Sequence, residues 1–260
     1  MDQLERRIVF ALEWVKSVKQ SILDVFYSLD SFDMKANKTE VTEADRNTEA
    51  EFRQLLKTNF PDDGIIGEEY SEDNREGGDF TWTIDPIDGT RAFTRGVPFF
   101  GTMLSLYRAN EILFGLIAYH ALGETIYAIK GKGCHWKTDA ADDFVQAQVS
   151  NTADLSEAVL SFSGEEYFNK ASKNIFIDTL KSKVQFWRTW GDCYGYCLLA
   201  RGKIDIMCDP MLNKWDLVPI KIIVEEAGGL FLNFDGSETT LNSNDALCAN
   251  PALMKKILSD

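Results

Sequence analysis

Histidine is scarce in this sequence. Only His120 and His135 occur among the 260 residues, and neither belongs to an H-E-x-x-H pattern. Because zinc hydrolases and Ser-His-Asp hydrolases depend on histidine as a ligand or a base, this scarcity disfavours both classes.

Basic residues are also in short supply. The 27 Lys and Arg residues stand against 41 Asp and Glu residues, which gives a formal net charge of −14. Binding to nucleic acid or to an anionic membrane requires clustered positive charge, so we expect neither partner. An acidic protein can still bind a small phosphorylated substrate, provided that metal ions lie between the two.

No C-x-x-C pair occurs among the five cysteines, and their odd number and spacing indicate reduced thiols in a cytoplasmic protein. No apolar run is long enough to span a membrane. The first 29 residues carry charges throughout, which argues against an export signal. We therefore expect a cytoplasmic protein, and its 45% hydrophobic residues are enough for a large core.

The order of apolar segments predicts two coupled halves of an α/β (α+β) protein. Residues 1–140 begin with an amphipathic helix and a second helix near Thr42, and then change to short apolar runs that are typical of an antiparallel meander. Residues 141–260 alternate strand-like and helical segments, as in an α/β half.

Acidic residues follow apolar, strand-like runs. "IIGEEY" places Glu68 and Glu69 after such a run, "WTIDPIDGT" places Asp85 and Asp88 in the same way, and "NKWDL" adds Asp216 near a helix start. Taken singly, each acid is more often a solvated loop charge, a turn residue or a helix cap. Together they indicate a hard-cation site, since oxygen ligands favour Mg²⁺, Mn²⁺ or Ca²⁺ over zinc.

Gly89 and Thr90 follow Asp88 where a short helix is expected to begin. Backbone N–H groups at a helix start bind phosphate. Acids, a glycine and a hydroxyl in one short segment therefore indicate metal-assisted phosphate chemistry. Thr90 is also placed to orient a water, although a lone threonine at this position is more often a cap.

The motifs "GEE" at 67–69, "DPIDGT" at 85–90 and "WD" at 215–216 followed by "EEAGG" resemble the signature of the inositol monophosphatase superfamily of Mg²⁺-dependent phosphatases. "DGTRAFTRGVPFFGTMLSL" and "RTWGDCYGYCLLARGKIDIMCDP" are similar to its histidinol-phosphate phosphatase branch. The resemblance implies a layered α-β-α-β-α sandwich of the inositol monophosphatase/fructose-1,6-bisphosphatase type and a homodimer. It also implies that the first half carries the metal and phosphate motifs, and that the second carries the substrate contacts and one metal ligand.

The resemblance also assigns the metal ligands. Glu68, Asp85 and the main-chain carbonyl of Ile87 would hold one metal. Asp85 would bridge to a second metal that Asp88 and Asp216 also hold. Two such ions can activate a water and stabilise both the attacking and the leaving oxygen of phosphate transfer.

Further catalytic roles are implied in the same way. Asp45 and Glu68 would lie near a third Mg²⁺ held mainly through waters, with Mn²⁺ as the alternative ion. Glu68 and Thr90 would orient the nucleophilic water, and the amides of Gly89 and Thr90 would bind the phosphate. No phosphoenzyme is expected.

Histidinol phosphate carries an ammonium and an imidazole, so carboxylates are expected on its leaving-group side. Asp192 and Asp209 are the candidates, with an N-cap and a turn as their structural alternatives. Arg91 is either a phosphate-steering residue or a surface charge. Lys35, with Lys38 close by, stands roughly where the family often has a lysine in a mobile metal-binding loop, and a solvated loop lysine is the alternative.

Three functions are compatible with these residues. The first is a Mg²⁺-dependent phosphomonoesterase that hydrolyses L-histidinol phosphate in histidine biosynthesis. The second keeps the chemistry and changes the alcohol to inositol, another polyol or sugar, or a nucleotide. The third is an inactive metal-binding or regulatory homologue, against which the full set of Glu68, Asp85, Asp88 and Asp216 argues.

Overall fold

The computed structural model describes residues 2–29, 31–35 and 40–259, so that Lys38 lies outside the described residues. The helices within these ranges are α1 Gln3–Ser17, α2 Lys19–Ser28, α3 Glu43–Asn59, α4 Thr90–Phe93, α5 Glu165–Lys170, α6 Asn174–Lys183, α7 Asp192–Ala200, α8 Lys214–Glu226 and α9 Pro251–Ser259. The strands are β1 Asp33–Met34, β2 Glu40–Val41, β3 Gly64–Gly67, β4 Thr81–Asp88, β5 Gly101–Arg108, β6 Glu111–Tyr119, β7 Glu124–Ile129, β8 Gly133–Thr138, β9 Val145–Ala147, β10 Val159–Phe162, β11 Phe186–Arg188, β12 Ile206–Asp209, β13 Leu230–Leu232 and β14 Ala246–Ala249.

The first large sheet has seven strands in the order β3-β4-β5-β6-β7-β8-β9. Only the β3–β4 pair is parallel among its strand pairs in the described chain, and the others are antiparallel, which confirms the predicted meander. Apolar side chains of α1, α2 and α3 cover one face, where Trp14, Phe52 and Trp82 share a core cluster. Helices α7 and α8 cover the other face.

The second large sheet has five strands in the order β11-β10-β12-β14-β13, with both parallel and antiparallel pairs. Its outer face packs against α5, α6 and α9 through residues that include Phe168, Ile177 and Leu253. Its inner face shares a core with α7, α8 and the first sheet. The layers therefore follow the predicted α-β-α-β-α order.

Helix α8 crosses the first sheet at close range because β6 carries a glycine at the crossing. A Cβ on Gly115 would lie 2.6 Å from Cγ2 of Ile222 and 2.7 Å from the carbonyl oxygen of Pro219. At the other end of α8, the Glu226 carboxylate accepts hydrogen bonds from backbone N–H groups of the β7–β8 turn. The helix that carries Asp216 is thus fixed to the first half.

The division into residues 1–140 and 141–260 stays a prediction. Strand β9 lies beyond residue 140 and completes the first sheet, and one core cluster contains side chains from both ranges. In the described part of the chain, no helix has both the length and the apolarity that a bilayer crossing requires.

Candidate active site

A cavity of about 340 Å³ opens where the carboxyl end of β4 meets the first turns of α7 and α8. Its acidic lining residues are Glu40, Glu68, Asp85, Asp88, Glu166, Asp192 and Asp216. Arg91 is the one basic residue among the described residues that line it. The cavity therefore carries a strong excess of negative charge.

A strand irregularity brings Asp85 and Asp88 to the same side of β4. Residues three apart on a regular strand point to opposite faces. The pairing register of β4 and β5 shifts between Asp85 and Asp88, as at a β-bulge. This shift turns the Asp88 carboxylate to the same side of the strand as Asp85. The Pro86 carbonyl within the irregular segment accepts a 2.7 Å hydrogen bond from Oγ1 of Thr102, which contacts His120 in turn.

Asp216 completes a cluster with these two aspartates. The three carboxylates each offer an oxygen within 4.8 Å of the others. Asn213 caps α8, and its backbone N–H donates to Asp216 at 2.8 Å in a capping box, so Asp216 is the third helical residue rather than the cap. Burial raises the pKa of Asp85 well above its usual range, and the neighbouring carboxylates raise it further.

Burial and then the charge of Asp216 raise the pKa of Asp88 to about 7, although the Cys193 N–H donates to Asp88. Burial likewise raises the pKa of Asp216 to about 7. Within the described ranges, no Lys or Arg forms an ion pair with Asp85, Asp88 or Asp216. An all-oxygen set of mutually repelling carboxylates is the donor set that a hard divalent cation requires, so the residues present fit such an ion.

Glu68 and Glu69 lie at the end of β3, where Lys35 contacts both. The Lys35 ammonium lies 2.7 Å from Glu68 Oε1 and 2.6 Å from Glu69 Oε1. Burial lowers the pKa of Lys35, but the two carboxylates outweigh this and raise it to about 12. Lys35 is therefore an ion-paired residue of the site and not a solvated loop lysine.

The chain turns into α4 at Gly89. Gly89 has φ +83°, and a Cβ there would lie 2.8 Å from the Phe99 carbonyl oxygen, so the position requires glycine. The Thr90 hydroxyl donates a 3.0 Å hydrogen bond to the Ile87 carbonyl. Gly89, Thr90 and Ile87 all line the cavity next to the aspartates.

Comparison with known proteins agrees with this geometry. The model of the inositol monophosphatase family matches residues 3–260. This chain belongs to the inositol monophosphatase family. It is therefore a phosphoric monoester hydrolase of a metal-dependent phosphatase family that acts on small phosphorylated substrates, and its acidic cluster can bind a metal.

Two similar curated proteins are named histidinol-phosphatase. That of Chlorobaculum parvum is 36% identical over 251 residues, which cover 96% of this chain and 94% of the relative. That of Mycobacterium tuberculosis is 34% identical over 240 residues, which cover 90% and 89%. A solved inositol monophosphatase from Zymomonas mobilis has a TM-score of 0.86 and 28% identity, with 100% of this chain and 98% of that chain covered.

The two acids that are predicted to contact the substrate, Asp192 and Asp209, lie in different environments in this inositol monophosphatase family protein. Asp192 faces the cavity as the first residue of α7 with φ +52°, and Gly191 is the N-cap, so the capping alternative for Asp192 is wrong. The Asp192 side chain is accessible from the cavity, and protein surrounds it on its other sides. This partial burial, and then the charge of Asp88, raise the pKa of Asp192 to about 7.

The structure does not bring Asp209 to the cavity. Asp209 is buried at the end of β12 and accepts a hydrogen bond from the Met211 N–H, which is the turn that the sequence offered as the alternative. Burial raises its pKa to about 8. In this structure Asp209 supports the turn, and its role as a substrate contact stays a prediction.

Asp45 also lies outside the cavity lining. It is buried in the first turn of α3, where one of its oxygens accepts hydrogen bonds from the backbone and the hydroxyl of Thr42. Burial raises its pKa to about 6, and its Oδ1 has no hydrogen-bond partner among the described residues. The third-metal role of Asp45 stays a prediction.

The sequence reasoning missed Glu49, which fixes the loop that carries Glu68. The buried Glu49 carboxylate accepts hydrogen bonds from the Glu69 N–H at 2.8 Å and from Arg53 Nε at 2.8 Å. A Cβ on Gly67 would lie 2.2 Å from Glu49 Oε1, so a side chain there would displace the Glu49 carboxylate. The i, i+4 spacing of Glu49 and Arg53 was the available signal, but it also describes any surface ion pair.

We predict that this enzyme, in the absence of metal, loses stability as the pH rises. The carboxyls of Asp88, Asp216 and Asp209 have pKa values of about 7, 7 and 8 in the folded chain, above the ordinary value near 3.9. The folded chain therefore holds more protons than the unfolded chain between about pH 4 and pH 8, and its unfolding free energy falls across that window. Excess Mg²⁺ should raise the melting temperature more at about pH 8 than at about pH 6, because the cation binds the ionised cluster.

Differential scanning calorimetry across this pH range, in EDTA and in excess Mg²⁺, measures both effects. A melting temperature that rises with pH in EDTA would contradict the shifts of these carboxyls. If Mg²⁺ raised the melting temperature equally at both pH values, stabilisation by the cation would not depend on ionisation of the cluster.

Proposed function

We propose that this enzyme hydrolyses L-histidinol phosphate to L-histidinol and phosphate in a Mg²⁺-dependent reaction. The observation that carries the substrate assignment is the acidic lining of the cavity beyond the metal ligands, where Asp192 and Glu166 lie. Carboxylates at this place suit an alcohol that bears an ammonium and an imidazole. The names of the two histidinol-phosphatase relatives support the same assignment.

Glu68, Asp85, Asp88 and Asp216, with the Ile87 carbonyl, are the proposed ligands of Mg²⁺, with Mn²⁺ as the alternative ion. Bound Mg²⁺ supplies neutralisation of the phosphate charge and a lowered pKa for a bound water. Burial of Asp85, and after it the repulsion from the other carboxylates, raise the pKa of Asp85, which supports this assignment.

The chain's own residues have proposed roles around the phosphate. The Thr90 hydroxyl donates a hydrogen bond to the Ile87 carbonyl, so its oxygen is left to accept a hydrogen bond from a water. Glu68 is placed to take the one proton that this water loses, once Lys35 releases the Glu68 carboxylate. The amides of Gly89 and Thr90 bind the phosphate oxygens, and Asp192 accepts a hydrogen bond from the substrate ammonium.

We expect a kcat/KM for L-histidinol phosphate at least about a hundredfold above those for myo-inositol 1-phosphate and 3′-phosphoadenosine 5′-phosphate, or about 2.7 kcal/mol of transition-state discrimination. Phosphate release from each substrate, measured with Mg²⁺ and with EDTA, tests this expectation. Equal or faster turnover of the other substrates would remove the histidinol assignment. Undiminished turnover in EDTA would remove the metal.

Inositol monophosphatase activity is the second candidate, and the structural similarity to the Zymomonas mobilis inositol monophosphatase supports it. The substrate comparison above separates the two. A homodimer and a cytoplasmic location are also part of the proposal. The family resemblance supports the dimer, and five buried free thiols support the location.

A further inference from the structure

The tetrapeptide Gly-Glu-Glu-Tyr occurs twice in the chain, at 67–70 and at 164–167. Both copies follow an apolar strand, and both contribute to the same cavity. The first copy supplies Glu68 on the metal side. The second supplies Glu166 and Tyr167, whereas its other acid, Glu165, forms an ion pair with Lys181.

The second copy holds a planar cation in the structure. Arg91 Nη1 donates a 2.8 Å hydrogen bond to Glu166 Oε1, and its guanidinium carbon lies 5.7 Å from the centroid of the Tyr167 ring. This distance is within the range of a cation–π interaction. A Cβ on Gly164 would lie 2.6 Å from Glu166 Oε2, so glycine allows the carboxylate to fold back towards the strand end.

We propose that Glu166 and Tyr167 form the subsite for the imidazolium of the leaving group, and that Arg91 occupies this subsite until substrate displaces it. This inference rests on the proposed histidinol-phosphatase function. An imidazolium resembles a guanidinium in being planar, delocalised and a hydrogen-bond donor, so the two groups compete for one carboxylate and one aromatic face. The displaced Arg91 lies next to Thr90, where its charge is available to the phosphate.

Three substitutions and one matched control test the subsite. We expect Glu166→Gln to lower the ratio of kcat/KM for L-histidinol phosphate to that for myo-inositol 1-phosphate by about tenfold, mainly through KM. Tyr167→Leu should lower the ratio by about fivefold, and Tyr167→Phe should restore it because the aromatic face remains. Glu165→Gln, on the same helix turn but paired with Lys181, should leave the ratio unchanged.

Steady-state kinetics on both substrates gives kcat and KM separately for each variant. An equal loss on the two substrates in Glu166→Gln would overturn the subsite, since Arg91 and the phosphate would then explain the effect. A ratio that falls as far in Glu165→Gln would overturn it too, because any acid on α5 would suffice. If the wild-type enzyme prefers histidinol phosphate and Glu166→Gln keeps that preference, the subsite alone fails; if the wild type has no preference, the proposed function fails with it.

Discussion

Replacing Asp88 by asparagine should lower kcat by at least about a hundredfold, and it should also raise the melting temperature of the metal-free protein. Asparagine keeps the size of the side chain and removes one of three carboxylates whose oxygens lie within 4.8 Å of one another. A divalent cation loses a charged ligand by this change. In the metal-free protein, repulsion between the buried carboxylates destabilises the fold at neutral pH. The same change removes part of that repulsion.

The two expected effects have opposite signs, which makes the variant diagnostic. Turnover at saturating Mg²⁺ and thermal unfolding in EDTA measure them separately. Asp142→Asn, in the exposed loop after β8, is the matched control and should change neither quantity. Near-normal turnover of Asp88→Asn would exclude Asp88 as a metal ligand, and a lower melting temperature in EDTA would show that its charge is not repelled.

Replacing Glu49 by alanine should lower the free energy of unfolding by about 3 kcal/mol or more. The substitution leaves the half-buried Arg53 without its carboxylate partner, and it removes the acceptor of the Glu69 N–H. Because Glu68 lies in the same loop, kcat should fall as well. The large effect comes from the loss of the ion-pair partner of Arg53 together with the acceptor of two backbone N–H groups, those of Glu69 and Tyr70.

Urea unfolding measures the free energy of this variant. Glu51→Ala is the matched control on α3, because Glu51 is exposed and accepts a single 3.2 Å hydrogen bond from Trp14 Nε1. Its expected cost is below about 1.5 kcal/mol. Equal costs for the two variants would mean that the buried carboxylate does not hold the loop.

The strand-end acids could be found in the sequence because their signal is local. Glu68 and Asp85 each follow a short apolar run, and the residue order alone places them at a sheet edge. The same holds for the meander and for the helix start near Thr42. What brings Asp85 and Asp88 together is a register shift against β5, which depends on pairing with a distant strand. No local pattern encodes that shift.

Depth in the fold was equally hard to predict. Asp192 and Asp209 are both predicted from the sequence to contact the substrate. Asp192 faces the cavity, whereas Asp209 is buried and does not line it. In the sequence, Glu49 has the pattern of any exposed charge on an amphipathic helix. The pairing of Arg91 with Glu166 joins residues 75 positions apart. In each case the packing of neighbouring layers decides the environment of a side chain whose own segment is ordinary.

The close crossing of α8 and β6 also limits how this chain can be recombined. A chimera that joins residues 1–140 to the remaining half of a relative would set a foreign helix against Gly115. The foreign helix would also have to supply an acceptor in the place of Glu226 for the β7–β8 turn. A small shift of the foreign helix relative to the first sheet would move the counterpart of Asp216 away from Asp85 and Asp88. The two segments are therefore expected to have been inherited as a unit, with substitutions on one side compensated on the other.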